Sequence, residues 1–484
     1  MTQGTVQQGS EYAGQTKALI GAAWVGGSSQ YGVTSPSSGT EIAMVADCGV
    51  AEANAALEAS VAAFATWSKT TAYERSSLLR TWFNLIRRDE AEIARTIALE
   101  MGKPVTEALG EVRYAASFLE WYAEEAKRIY GEIIPSQFGH KRLFASKHPV
   151  GPVYAVTPWN FPAAMATRKV APALAAGCTL VLKPAEQSPL TALKLAELWL
   201  EAGGPAGVFQ VVTCSDPVAV SKVFLDDPRV RKITFTGSTE VGRILTRGSA
   251  ETLKRVSMEL GGHAPFIVFD DADVEQAVLD VVACKFRNAG QTCVCTNRVY
   301  VQRGILEEFT RKLSDAVAQL RVGDPLQSST QIGPLVDAQG LEKVKRHVAD
   351  AIKHGATASV GGHALEGLYF EPTVLSGVTE DMLVMREETF GPVAPVIAFD
   401  TEAEVLRAAN NTPFGLAAYV WTRDLSRAVR VSEELQYGII GLNDPIPSTA
   451  QAPFGGIKQS GFGREGGHWG LEEYLYVKYT SVVV

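Results

Sequence analysis

A cysteine that follows a run of small and polar residues is the part of this chain best suited to chemistry. Cys293 ends the segment 286–293, which reads Phe-Arg-Asn-Ala-Gly-Gln-Thr-Cys. Such a segment lets backbone N–H groups and a ligand approach the thiol, and a nucleophilic cysteine needs a thiolate that is reachable and whose charge is supported. The alternative is a structural cysteine, because free cysteine is among the most buried residue types. On this segment alone the two interpretations carry equal weight.

Two other segments contain groups that a cysteine nucleophile needs. Asn160 lies in 158–162, Pro-Trp-Asn-Phe-Pro, where two prolines and two aromatic residues restrain the backbone. A rigid neutral amide suits a developing oxyanion. Glu259 lies between Met258 and Leu260, where partial desolvation raises the pKa of a carboxyl group toward that of a useful base. The alternatives are a turn asparagine and a capping or ion-paired glutamate.

Further polar segments are candidates for binding a phosphorylated ligand. Residues 237–242, Gly-Ser-Thr-Glu-Val-Gly, follow a predicted strand and open a predicted helix, the context of phosphate binding at a helix N-terminus. Their spacing matches neither the dinucleotide fingerprint nor a P-loop. Lys183 and Glu186 follow another strand and suit ribose hydroxyls, although an ordinary solvated pair is equally consistent. Glu388 and Phe390 precede a Gly-Pro turn, and turn chemistry alone also explains them.

Bulk composition excludes several classes of protein. The 484 residues predict two or three domains. A net charge of −8 provides no basic footprint for nucleic acid, and no apolar run is long enough to predict a membrane span. The first twenty residues do not resemble a signal peptide, and residues 1–15 are polar and predicted to be loose. The six cysteines show no disulfide or zinc spacing. We therefore expect a cytoplasmic enzyme with reduced thiols and no metal site.

Apolar periodicity predicts an α/β protein. Helices are expected at 51–67, 74–101 and 107–129, so that the N-terminal quarter is helical. From residue 151 onward, apolar strands alternate with helices, which indicates a doubly wound parallel sheet. Such sheets bind ligands beyond the carboxyl ends of their strands, where Asn160, Lys183 and Gly237 fall. The alternation restarts after residue 262 with a helix expected at 274–288. The final segment, 473–484, reads as an exposed edge strand that invites pairing with another chain.

Six segments in this order make the chain resemble the aldehyde dehydrogenase superfamily from about residue 67 to its end. They are Pro-Trp-Asn-Phe-Pro at 158–162, Lys-Pro-Ala-Glu at 183–186, Phe-Thr-Gly-Ser at 235–238, Glu-Leu-Gly-Gly at 259–262, Gly-Gln-Thr-Cys at 290–293 and Glu-Glu-Thr-Phe-Gly-Pro at 387–392. Any one is unspecific, but the ordered set is specific. Within the superfamily the sequence is most similar to succinate-semialdehyde dehydrogenases, through segments that other semialdehyde enzymes share in part: 167–169, 285–288, the Cys-Val-Cys at 293–295 and the tail 453–466.

The resemblance implies NAD(P)-dependent oxidation of succinate semialdehyde to succinate. Cys293 would attack the aldehyde carbon to form a thiohemiacetal. Asn160, together with the Cys293 N–H, would hold the oxyanion. Hydride transfer would leave a thioester, and Glu259 would activate the water that hydrolyses it. Glutarate semialdehyde or a broader range of aliphatic aldehydes is the alternative substrate. A non-catalytic structural or binding member of the superfamily is the alternative of another class; loss of Cys293 or Glu259 would be its signature, and both are present.

The resemblance also implies where the cofactor binds. Lys183 and Glu186 would hold the adenosine ribose, the helix from Gly237 onward the pyrophosphate, and Glu388 and Phe390 the nicotinamide ribose and ring. The full set of expected cofactor contacts is Trp159, Lys183, Glu186, Gly237, Ser238, Gly242, Glu388 and Phe390. A carboxylate at position 186 accepts from both ribose hydroxyls and repels a 2′-phosphate. We therefore predict that NAD is preferred, with NADP as the alternative cofactor.

Three residues are predicted to hold the far end of the substrate. Arg168 and Arg287 are cations in helices that are otherwise apolar, where an unpaired charge is costly. We expect both to face the active-site funnel and to bind a carboxylate, assisted by Ser448, because the guanidinium fork pairs with a carboxylate in a bidentate manner. Structural salt bridges are the alternative. The segment 445–447, Pro-Ile-Pro, departs from the pattern of the family and stiffens the loop before Ser448.

Cys295 is either a packing residue or a redox partner of Cys293. A thiolate nucleophile oxidises readily to sulfenic acid. A second thiol two residues away would capture that species as a strained disulfide that is easily reduced. The sequence leaves both interpretations open.

The resemblance implies a homo-oligomer, either a dimer or a homotetramer, built from three-domain subunits. We expect the NAD(P)-binding domain at 1–129 and 149–258, the catalytic domain at 259–460 and a small β oligomerisation flap at 130–148 and 461–484. The flap would pair between subunits, in agreement with the edge strand predicted for 473–484.

Overall fold

A computed structural model describes residues 12–484. Of the segment 1–15 that was predicted to be loose, residues 1–11 lie outside the described part of the chain. The described helices and strands form two α/β units, each built on its own sheet, and two small sheets of three and two strands. The predicted doubly wound sheet with a second α/β domain is therefore confirmed. Among the described residues, no helix has the length and apolarity needed to cross a membrane.

The larger sheet has eight strands in the order β19-β11-β10-β7-β8-β9-β1-β2. Its five central strands, β11 to β9, are parallel, and the strands at the margins are antiparallel. The strands are β1 (Ala18–Ile20), β2 (Ala23–Val25), β7 (Val153–Val156), β8 (Leu180–Lys183), β9 (Phe209–Val211), β10 (Lys232–Thr236), β11 (Arg255–Glu259) and β19 (Gly461–Phe462).

The second sheet has seven strands in the order β14-β15-β16-β13-β12-β17-β18, all parallel except the pair β14-β15. The strands are β12 (Ala264–Val268), β13 (Thr296–Gln302), β14 (Thr357–Val360), β15 (Thr373–Ser376), β16 (Val393–Phe399), β17 (Ala417–Trp421) and β18 (Ile439–Leu442). Two small antiparallel sheets complete the fold: β20-β6-β5 and β3-β4. Their strands are β3 (Ser29–Thr34), β4 (Glu41–Asp47), β5 (Glu132–Ile134), β6 (Lys141–Pro149) and β20 (Leu475–Val483).

Helices cover both large sheets, and their apolar faces form the buried clusters of each unit. The helices of the first unit are α1 (Val50–Trp67), α2 (Ala72–Arg88), α3 (Glu90–Met101), α4 (Val105–Glu125), α5 (Pro162–Ala176), α6 (Leu190–Glu201), α7 (Pro217–Asp226), α8 (Thr239–Ala250) and α15 (Gly467–Glu472). Those of the second are α9 (Val274–Lys285), α10 (Leu306–Val317), α11 (Ala338–Lys353), α12 (Leu383–Arg386), α13 (Glu402–Asn410) and α14 (Leu425–Glu434). Single 3₁₀ turns occur at Ala126–Arg128, Arg287–Gly290, Arg303–Ile305 and Lys458–Ser460.

The structure differs from the predicted elements at four places. The N-terminal quarter is not wholly helical, because β1 to β4 precede α1. The helix expected at 74–101 is two helices, since Asp89 (φ −100°, ψ 18°) interrupts the helical backbone. The helix expected at 274–288 ends at Lys285. Finally, β19, expected in the flap, pairs with β11 at the margin of the larger sheet.

Candidate active site

One cavity of about 340 Å³ lies where segments from both α/β units meet. The first unit contributes the residues that follow β7, β10 and β11, at the carboxyl ends of parallel strands, as expected for this sheet type. The second unit contributes Cys293, the segment before β16 and the start of α11. The lining residues that the sequence singled out are Trp159, Asn160, Gly237, Ser238, Cys293, Glu388 and Phe390. The first turn of α11, with Asp337, Gln339, Gly340 and Lys343, also lines the cavity and was not predicted.

A short left-handed stretch leads the chain to Cys293. Asn288 and Ala289 adopt φ values of 52° and 53°, which ends the preceding helix, and Gly290 follows at 73°. A Cβ atom on Gly290 would stand 2.1 Å from the carbonyl oxygen of Gly391, so no larger residue fits there. Because these backbone angles are costly for residues with a side chain, they are held by the surrounding structure. The stretch places Cys293 at the cavity wall.

The surroundings of the Cys293 thiol oppose its ionisation. Burial raises its pKa to about 12, and the positive charge of Arg168 acts in the opposite direction. The residue is nevertheless partly accessible from the cavity. A Cβ atom on Gly262 would stand 2.3 Å from the Cys293 carbonyl oxygen, so the two backbones are in direct contact. Attack by this sulfur therefore needs a group that accepts its proton.

Asn160 is held rigidly beside Cys293. Its side-chain Nδ2 donates to the Gln291 carbonyl (3.0 Å), and its own carbonyl accepts from Asn288 Nδ2 (3.1 Å) and Lys103 Nζ (2.8 Å). The residue is buried and lines the same cavity as the thiol. These contacts fix the position of an amide group near the sulfur.

Lys103 and Glu111 form a buried ion pair behind Asn160 that sequence reasoning missed. The Lys103 ammonium lies 3.6 Å from the centre of the Phe161 ring. Glu111 Oε1 accepts from the backbone N–H groups of Ala163 (2.9 Å) and Ala164 (3.2 Å), which caps α5. The only sequence signal was a lysine between a helix-ending glycine and a proline. The pair anchors both ends of the segment that carries Asn160.

Glu259 is a buried carboxyl group without a hydrogen-bond partner for either oxygen among residues 12–484. Burial raises its pKa well above the usual range, and the neighbouring Glu465 adds to that shift; Arg168 and Lys169 oppose it. It ends β11, next to Thr236 of β10. A Cβ atom on Gly455 would stand 2.8 Å from Glu259 Oε1, so the glycine leaves room for the carboxyl group. A carboxylate with a raised pKa is a stronger base, as water activation requires.

The start of α8 fits the phosphate groups of a dinucleotide. Ser238 caps the helix by accepting from the Val241 N–H at 3.3 Å, and the Gly237 N–H donates to the Glu259 carbonyl at 3.0 Å. The first N–H groups of the helix then point toward the cavity with the positive end of the helix dipole. Gly242, predicted to contact the cofactor, packs inside the fold instead: a Cβ atom there would stand 2.5 Å from Leu260 Cδ2.

The remaining predicted cofactor residues divide into two groups. Trp159 and Phe390 lie edge to face in the cavity wall with ring centres 5.5 Å apart. Glu388 accepts from the Gly262 N–H at 3.0 Å, and burial raises its pKa to about 7. Lys183 and Glu186 lie outside the cavity wall and form an ion pair with each other. The cavity wall thus contains residues predicted for the nicotinamide and phosphate parts of the cofactor, and not those predicted for the adenosine ribose.

The two arginines predicted for the substrate carboxylate have different surroundings. Arg168 is buried and ion-paired with Glu465 at 2.7 Å, and its guanidinium lies 3.9 Å from the Phe454 ring centre. The premise that its charge lacks a partner is therefore wrong. Arg287 is half-buried above the Phe161 ring at 5.5 Å, and its Nε has no hydrogen-bond partner in the described chain. It begins a 3₁₀ turn rather than lying in an apolar helix.

Cys295 and Ser448 complete the predicted set. Cys295 is fully buried; its Sγ donates to the Gly290 carbonyl at 3.2 Å and lies 3.7 Å from Lys285 Nζ. These contacts support its packing role, and the disulfide stays a prediction. Ser448 is partly exposed in the loop after β18. Within residues 12–484, no group of three or more His, Cys, Asp or Glu side chains has the arrangement of a metal site.

Comparisons with known proteins identify the family of this chain. The model of the aldehyde dehydrogenase family matches residues 24–480. The chain is 53% identical to the succinate-semialdehyde dehydrogenase [NADP(+)] GabD of Escherichia coli, over 96% of this chain and 97% of that protein. It is 51% identical to a glutarate-semialdehyde dehydrogenase of Pseudomonas aeruginosa, with the same 96% and 97% coverage. The crystal structure of a Burkholderia pseudomallei succinate-semialdehyde dehydrogenase superposes with a TM-score of 0.95 at 49% identity and covers 97% of this chain and 98% of that one.

Proposed function

Because this chain belongs to the aldehyde dehydrogenase family, we propose that it oxidises succinate semialdehyde to succinate with a nicotinamide dinucleotide. The observation that carries the choice of substrate is Arg287, a guanidinium without a hydrogen-bond partner at Nε in the described chain, above the ring of Phe161. Phe161 lines the cavity that contains Cys293. A half-buried cation beside the wall of the cavity that contains Cys293 favours an aldehyde whose far end carries a carboxylate.

The proposed chemistry begins with the transfer of the Cys293 proton to Glu259. The sulfur then adds to the aldehyde carbon, and the resulting oxyanion accepts from the Asn160 amide and the Cys293 N–H. When bound, the dinucleotide supplies a hydride acceptor. Once it has released the Cys293 proton to solvent, Glu259 accepts a proton from the water that hydrolyses the thioester, and the departing Cys293 sulfur takes that proton back. The raised pKa of this carboxyl group suits both proton transfers.

The cofactor is proposed to lie along the cavity with its phosphates at the start of α8. Ser238 and the first N–H groups of the helix would bind the phosphates, and Glu388 and Phe390 would position the nicotinamide ribose and ring. Lys183 and Glu186 would meet the adenosine ribose. The preference for NAD over NADP stays a prediction: the Glu186 carboxylate disfavours a 2′-phosphate, whereas its ion-pair partner Lys183 favours one. The E. coli relative is named for NADP(+).

Glutarate semialdehyde is the second candidate substrate, since a relative of similar identity is named for it. The test measures kcat/KM of the wild type for malonate, succinate and glutarate semialdehydes and for butanal, each with NAD and NADP. We expect succinate semialdehyde to exceed butanal by at least about 100-fold, the effect of one charged hydrogen-bonded pair. A kcat/KM for glutarate semialdehyde above that for succinate semialdehyde would select the second candidate. A kcat/KM for butanal equal to the values for the semialdehydes would reject both candidates. Cys293→Ala should abolish turnover of every substrate.

We also propose a homo-oligomer, a dimer or a tetramer, that assembles through the three-stranded sheet β20-β6-β5. Strand β20 is at the edge of that sheet and exposes Val477, Tyr479 and Val483. An exposed apolar edge strand is a template for pairing with a second chain. Deletion of residues 475–484 should convert the oligomer to a monomer in analytical ultracentrifugation. The cytoplasmic location stays a prediction.

A further inference from the structure

One stripe of helix α4 faces the site, and three of its four side chains have clear partners. Glu107, Glu111, Tyr114 and Phe118 are spaced by four, three and four residues, so they lie on one face of the helix. Glu107 accepts from the Asn288 N–H at 2.7 Å, and Glu111 holds Lys103 and the start of α5. The ring of Phe118 lies 5.7 Å from the Arg168 guanidinium.

Tyr114 is the member of this stripe whose polar group has no partner. Its hydroxyl oxygen is fully buried and makes no hydrogen bond within the described residues, although the side of the ring is partly accessible. The ring packs edge to face on Phe118, with centres 5.0 Å apart. A buried hydroxyl without a partner destabilises a folded protein, so the group is expected to meet a ligand or water.

Charged groups of both signs act on this hydroxyl. Burial raises the pKa of Tyr114, the charges of Arg168 and Arg287 lower it, and Glu465 and the Cys293 thiol add smaller upward effects. Arg287 stands above Phe161, and Arg168 Nη1 lies 3.9 Å from Met165 Sδ; both Phe161 and Met165 line the cavity. The two arginines whose charges act on Tyr114 therefore each contact a residue of the cavity wall.

We propose that the Tyr114 hydroxyl donates a hydrogen bond to the far carboxylate of the semialdehyde and so determines specificity together with Arg287. This inference rests on the proposed function. A carboxylate offers about four lone-pair positions on two oxygens. Because the charge of Arg168 is already paired with Glu465, the guanidinium of Arg287 is the cation that would occupy some of these lone-pair positions. A neutral donor at a further position satisfies the carboxylate without adding charge to an already cationic region.

The test compares Tyr114→Phe with the wild type on succinate semialdehyde and butanal. We expect kcat/KM for succinate semialdehyde to fall about 10- to 100-fold, as for loss of a hydrogen bond to a charged group. The change should lie mainly in KM, and the value for butanal should stay within about twofold. In a Cys293→Ala background, which binds without turnover, Tyr114→Phe should weaken the calorimetric affinity for succinate semialdehyde by a similar factor.

Tyr154→Phe is the matched control, because it also removes a buried tyrosine hydroxyl. That hydroxyl pairs with Ser221 Oγ at 2.9 Å, between β7 and α7, so its loss should leave the substrate ratio unchanged. Tyr114→Met, which also lacks the hydroxyl, decides the question if Tyr114→Phe folds poorly. Equal losses for both substrates, or an unchanged ratio, would overturn the role of Tyr114. If the wild type itself does not prefer the semialdehyde to butanal, the proposed function fails instead.

Discussion

The ammonium group of Lys103 donates a 2.8 Å hydrogen bond to the main-chain carbonyl of Asn160, a residue that lines the same cavity as Cys293. The lysine does not line that cavity itself. It positions the segment that contains Asn160, and its charge is balanced by Glu111, which caps α5. One buried ion pair therefore links Asn160 to the helix that follows it.

Replacing Lys103 with methionine should lower kcat more than it changes KM. We expect kcat to fall about 10- to 100-fold, because a displacement of about 1 Å in a catalytic group has effects of this size. The variant should also lose about 3–5 kcal/mol of stability, since Glu111 is left as an uncompensated buried charge. The double variant Lys103→Met/Glu111→Gln should recover part of the stability but not kcat. Steady-state kinetics and thermal unfolding check both statements; recovery of kcat in the double variant would contradict the positioning role.

The two arginines should separate into a structural and a substrate-binding residue. Arg168→Met should reduce the free energy of unfolding by about 3 kcal/mol, because it breaks a buried ion pair with Glu465. Arg287→Ala should change stability by less than about 1 kcal/mol. It should nevertheless lower kcat/KM for succinate semialdehyde about 100-fold relative to butanal, because it removes the charge opposite the carboxylate. An unchanged ratio in Arg287→Ala would reject its role in carboxylate binding.

The Glu186 side chain should determine part of the cofactor preference. In Glu186→Ser the carboxylate that repels a 2′-phosphate is lost, while Lys183, freed from its ion pair, can meet that phosphate. We expect the ratio of kcat/KM for NAD to that for NADP to fall about tenfold or more relative to the wild type, and we expect the wild-type ratio to favour NAD. Fluorescence titration of each cofactor checks binding separately from turnover. A wild-type ratio that favours NADP would show that Lys183 outweighs Glu186.

Cys295 should protect Cys293 against irreversible oxidation. Peroxide would oxidise the Cys293 thiolate to a sulfenic acid, and the Cys295 thiol would displace water from it to form a disulfide. Because Cys295 Sγ now contacts the Gly290 carbonyl, this step requires local movement. We expect dithiothreitol to restore the peroxide-treated wild type. In Cys295→Ala the untreated activity should persist, and the inactivation should become largely irreversible. Equal recovery of activity in both proteins would show that Cys295 is a packing residue and does not protect Cys293.

Glu388 should make stability depend on pH near neutrality. Burial raises its pKa from 4.5 to about 7, so the folded protein binds this proton more tightly than the unfolded chain does. The contribution of this bound proton to the free energy of unfolding is fully present below about pH 4.5. It is lost as pH rises through 7, which lowers the free energy of unfolding by about 3 kcal/mol. Glu388→Gln lacks this titration. The thermal midpoint of the variant minus that of the wild type, both measured without cofactor, should therefore increase from pH 5 to pH 8. A difference that stays constant over this range would contradict the raised pKa.

The sequence by itself determined the fold class and the main features of the proposed active site. Short-range backbone preferences and apolar periodicity predicted most helices and the central strands. The segments around Asn160, Gly237 and Cys293 were expected at strand ends or in an accessible segment, and the structure brings all three to one cavity. These features are readable because each depends mainly on residues close together in the chain. The break in the helix at Asp89 could not be read from the sequence, because the apolar pattern continues across it.

The tertiary structure decided how distant charges pair and which polar groups remain without a partner. Arg168 meets Glu465, which lies 297 residues later, and Lys103 meets the Asn160 carbonyl across 57 residues. The left-handed backbone at Asn288 is held where Glu107 accepts its N–H. Whether a buried arginine is paired or open to a substrate depends on which elements pack against it. That packing is a long-range property, and neither spacing nor composition encodes it.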